Sequence, residues 1–112
     1  MTKPIEAITA ALLEMQQDLI QISDSPSDEL LRQWMGKYDI RLVGENFNRI
    51  YAKELRHSLA EKFNVQISER DLIELIPSIC SGINMETQLL ITLWNAAESE
   101  QPCNDYLICL LK

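Results

Sequence analysis

The sequence predicts an all-α fold: a compact, partly orthogonal bundle of five or six short helices, forming one domain over residues 1–112. Three observations predict it. Apolar residues recur at helical spacing through most of the chain. Two segments open with a Ser-x-x-acid capping pattern. Glycine (3) and proline (4) are too scarce to build many turns or a glycine-rich loop. A chain of 112 residues buries about two-thirds of the surface its unfolded form exposes, enough for one core without staples.

The first helix follows from Ile5, Ile8, Leu12, Met15, Leu19 and Ile22, which form one stripe, widened by Leu13 and Ile20. Pro4 suits its first turn, where a missing N–H costs nothing. The next helix starts where Ser25 can cap, Pro26 can sit first and Asp28 completes a capping box. Leu30, Leu31, Trp34 and Met35 form its inner face, and Gly36 is its natural stop. Residues 37–46 show no period, although Ile40, Leu42 and Val43 can anchor a loop.

A third helix is expected over residues 46–63, with Phe47, Ile50, Tyr51, Leu55, Leu59 and Phe63 on one broad face. Asn64 can adopt the left-handed conformation that ends it. Ser68 and Asp71 open a fourth, carrying Leu72, Ile73, Leu75, Ile76, Ile79 and Cys80 on one side. Its stripe keeps helical phase past Pro77, which predicts a kink there, with Gly82 as the stop. Asn84 can cap a fifth helix reaching Glu98, so apolar around its circumference that it should lie centrally. Residues 99–104 read as a turn, and residues 105–111 close the chain as a short helix or an extended tail.

Net charge is −7, unevenly spread. Residues 1–31 carry one cation and six anions, residues 32–62 seven and four, residues 63–112 two and seven. A basic middle between acidic flanks implies either oppositely charged helices packed together or a local anion-binding face. Three cysteines, with Cys80 and Cys109 in apolar runs, suit reduced buried thiols more than a disulfide framework. Glu6 and Glu14 interrupt any N-terminal signal-peptide core, and no apolar run reaches bilayer length. The expectation is a soluble cytoplasmic protein with no membrane contact.

Residues 55–75 resemble a helix-turn-helix in outline, which raises the question of DNA. The second helix carries Glu69, Asp71 and Glu74 against Arg70 alone, so an acidic helix would face a polyanion. Phosphate contacts dominate DNA affinity, and the Coulomb sign is wrong. Nucleic acid is therefore disfavoured as a partner.

Two constellations remain as partner-binding candidates. Arg49, Lys53 and Arg56 would fall on one side of the third helix, opposite its apolar stripe. The plainer account is a solvated face or pairing with the chain's own acidic residues. Leu90 and Trp94, with Tyr106 in the tail, form an apolar set that either completes the core or serves as a partner or self-association surface. No catalytic residue is expected. His57 is the sole histidine, and neighbouring Ser58 points about 100° away from it on a helix. No metal ligand set or cofactor is expected either, because no CxxC is present and Asp24 to Glu29 lacks the later ligands of a calcium loop. By elimination the chain is expected to be a small non-enzymatic regulator that binds another protein, whether as adaptor, inhibitor or immunity-type protein. The alternatives are a helical subunit contacting a phosphate backbone without reading sequence, and a homo-oligomeric structural subunit, as small as a homodimer.

Overall fold

The computed structural model describes residues 4–23, 27–44, 47–91 and 104–111. The elements run α1 (Pro4–Ser23), α2 (Asp28–Tyr38), β1 (Arg49–Tyr51), α3 (Ala52–Lys62), α4 (Glu69–Gly82), β2 (Glu86–Ile91) and β3 (Asn104–Cys109). The strands form an antiparallel sheet in the order β1-β3-β2. The fold is therefore mixed α and β, with four helices beside a three-stranded sheet among the described residues. The expected all-α helical bundle is overturned.

Two of the helices match their sequence signals closely. α1 begins at Pro4 and buries Ile8, Leu12, Met15 and Leu19, while Leu13 and Ile20, which widened the stripe, stay exposed. α4 starts after Ser68, whose Oγ accepts the Asp71 N–H at 3.1 Å, and ends at Gly82 with Pro77 inside it. The left-handed residue after α3 is Asn64, at φ 55°.

α2 is displaced from its expected bounds. Its cap is Ser27, whose Oγ accepts the Leu30 N–H at 3.1 Å; Ser25 and Pro26 lie outside the described residues. It runs past Gly36 to Tyr38 and stops at Asp39 in the left-handed conformation. Those two extra residues matter, because they carry the contacts that close α2 onto α1. Trp34 is buried and donates Nε1–H to the Met15 carbonyl at 3.1 Å, the usual polar outlet of a buried indole. Asp18 accepts from Lys37 Nζ at 2.6 Å and from the Tyr38 hydroxyl. The Lys37 bond, then the Tyr38 bond, hold the Asp18 carboxyl below its ordinary range. Burial, then the Asp18 bond, push the Tyr38 hydroxyl up.

The helix expected over residues 46–63 is strand at Arg49–Tyr51 and helix only from Ala52 to Lys62. Gly44 at φ 93° and Phe47 at φ 51° turn the chain, and positive φ at a bulky residue is incompatible with a helix start. Val43 and Arg49 exchange two backbone hydrogen bonds across that turn, at 2.8 and 3.1 Å. Residues 49–51 then alternate exposed, buried and half-buried, a strand period, before α3 takes over at Ala52. The helix expected from Asn84 to Glu98 is corrected in the same way over residues 84–91; residues 92–98 lie outside the described residues. Asn84 sits at φ 59°, whereas a helix N-cap needs extended backbone. β2 follows, with Leu89 and Leu90 on opposite faces of the sheet. The tail resolves as β3, the middle strand, its extended alternative realised because β1 and β2 both pair with it.

The core joins the helices to one face of the sheet. Ile50 and Ile108 are directly opposed in register and fully buried. Leu55, Leu59, Leu72 and Ile76 belong to the same apolar cluster, as do the buried residues of α1. The sheet's inner face carries Ile50, Ile108, Tyr106, Thr87 and Leu89; its outer face carries Arg49, Tyr51, Glu86, Gln88, Leu90, Asp105, Leu107 and Cys109.

Candidate functional site

The basic strip does not assemble as one helical face. Arg49 lies in β1, on the outer face of the sheet opposite Cys109. Lys53 opens α3 and its Nζ stands 3.1 Å from Glu69. Arg56 donates Nε–H to the Ile67 carbonyl at 3.0 Å. Lys53 and Arg56 thus tie α3 to α4 and the segment leading into it. A helical wheel groups three residues only when all three are helical, and β1 takes Arg49 out of the helix.

Leu90 and Tyr106 sit on adjacent strands, one step apart in register: Leu89 faces Tyr106 and Leu90 faces Asp105. They occupy opposite faces of the sheet. Tyr106 is half-buried against the core, and Leu90 is half-buried on the outer face. Trp94 lies outside the described residues, as does Cys103.

The two edges of the sheet are built differently. β1 has three residues, begins with a cation, and is covered at Arg49 by the Val43 bridge. Short length, charge and a covering segment are standard protections of a strand edge. β2 has six residues and pairs, among the described residues, with β3 alone. After Glu86 its sequence is Thr-Gln-Leu-Leu-Ile, with no lysine, arginine or proline. By register Leu89 lies on the inner face, yet it is 46% exposed. This edge could not be found from the sequence while residues 84–98 were read as helix. The alternation of Thr87, Leu89 and Ile91 against Gln88 and Leu90 is too apolar on both sides to announce a strand.

One further contact fixes the sheet to the helices. Asp105 Oδ1 accepts the Lys53 N–H at 3.0 Å and the Tyr106 N–H at 2.7 Å. Tyr51, at the N-cap position of α3, supplies no side-chain bond. β3 therefore caps α3 from outside the helix, placing a carboxylate at the positive end of its dipole.

His57 Nε2 lies 2.5 Å from Asp39, and both side chains are more than half exposed. Ser58 is fully buried, and its Oγ finds no hydrogen-bond partner among the described residues. Burial pushes the Cys80 thiol up to about 11, which suppresses the thiolate. Cys109 donates Sγ–H to the Leu111 carbonyl at 2.9 Å. Among the described residues no helix is long and apolar enough to cross a membrane, and no three His, Cys, Asp or Glu side chains cluster as metal ligands.

The chain matches no protein-family model, no curated protein and no solved structure.

Proposed function

We propose that this chain is a small non-enzymatic regulator that binds another protein by surface contact, as an adaptor, inhibitor or immunity-type protein does. The observation that carries the reading is the outer edge of β2, which among the described residues pairs with β3 alone, with exposed Leu89 on that strand. An edge strand offers a row of backbone donors and acceptors to an incoming strand, and adjacent side chains supply selectivity. Leu90 on the outer face and Tyr106 behind Leu89 flank that edge and would frame the contact.

The placement of the reactive groups supports a binding role over a catalytic one: the Ser58 hydroxyl is buried with no hydrogen-bond partner among the described residues, burial pushes the Cys80 thiol up, and His57 is paired with the exposed Asp39 carboxylate. The free thiols of Cys80 and Cys109 support a cytoplasmic setting. The net charge of −7 favours a cationic or neutral partner.

The test is capture from the native cell with nuclease present, comparing the natural chain with Thr87→Lys. Thr87 is exposed on β2, and a lysine there places a charge on the edge. A stoichiometric protein that co-purifies with the natural chain and is lost from the variant supports the reading. A chain that retains the same protein after the substitution refutes the edge as the contact.

A further inference from the structure

We draw no further inference here: the strongest candidate, the cavity of about 350 Å³ at the N-terminal ends of α1 and α4, lined by Pro4, Ile67, Ser68, Leu75 and the acidic residues Asp71 and Glu74, rests on acidic residues at a helix N-terminus, and nothing in the structure shows what occupies it.

Discussion

Replacing Ser58 by alanine should stabilise this protein, against the usual cost of changing a fully buried residue. Ser58 lies inside α3 with no exposed surface, and its hydroxyl has no hydrogen-bond partner among the described residues. A buried serine in a helix normally returns its hydroxyl to the carbonyl four residues back; here that bond is not made. A polar group buried without a partner costs about 1–3 kcal/mol of desolvation. Alanine also has the better helix propensity, by about 0.5 kcal/mol. Against this stands the small void left by one oxygen, a few tenths of a kcal/mol at about 24 cal/mol per Å³. The balance favours alanine by about 1–2 kcal/mol, or roughly 5–10 °C in Tm for a chain of this length. Urea and thermal unfolding of Ser58→Ala measure it. Ser78→Ala is the control, since Ser78 is exposed inside α4 and should gain only the propensity difference. A Ser58→Ala variant less stable than the natural chain, or one matching its Ser78 control, would show that the hydroxyl is satisfied and refute the reasoning.

Three other perturbations follow from single contacts. Asp105→Ala should lose about 1–2 kcal/mol in urea titration, because it removes the acceptor and the charge that cap α3. Asp105→Asn, which keeps the acceptor, should lose less than half as much, and equal losses would argue against capping. Ser68→Ala should lose about 1 kcal/mol by the same assay through the uncapped Asp71 N–H, and no loss would mean that water replaces the cap. Asp18 titrates below its ordinary value through Lys37 and then Tyr38, so its contribution is complete above the unfolded pKa and is lost as the pH falls through the folded one. Asp18→Asn should therefore be less stable than the natural chain at neutral pH and show a shallower acid fall, and parallel acid limbs for the two proteins would discount this pair.

Where the sequence carried a local signal with a single physical cause, it was legible. Ser68 reads as a cap because its hydroxyl and the Asp71 N–H are three residues apart, and nothing distant alters that. α1 reads as a helix because one stripe of it is buried from Ile8 to Leu19. At Gly36 a local signal was outweighed: Trp34, Lys37 and Tyr38 all bond to α1, and these contacts carry α2 two residues past the glycine. At Phe47 and Asn84 the deciding fact is a left-handed backbone at a residue other than glycine. Side-chain type signals that weakly, most of all for phenylalanine.

The sheet was missed for a reason that also governs the candidate site. Strand identity in β2 and β3 is conferred by pairing, and the partners of β3 lie far from it in sequence: Ile108 opposes both Ile50 and Thr87. A ladder between distant segments leaves no mark on either one beyond apolar content, which a buried helix shares. The grouping of Arg49 with Lys53 and Arg56 was then a consequence of the helix assignment and lapsed with it. The edge was hidden one level deeper. An edge is a property of strand order, and β3, last in sequence, lies in the middle. That order leaves the covered β1 on one side and β2 on the other. The candidate contact edge is therefore set less by any residue type than by which strand the topology leaves last in the row.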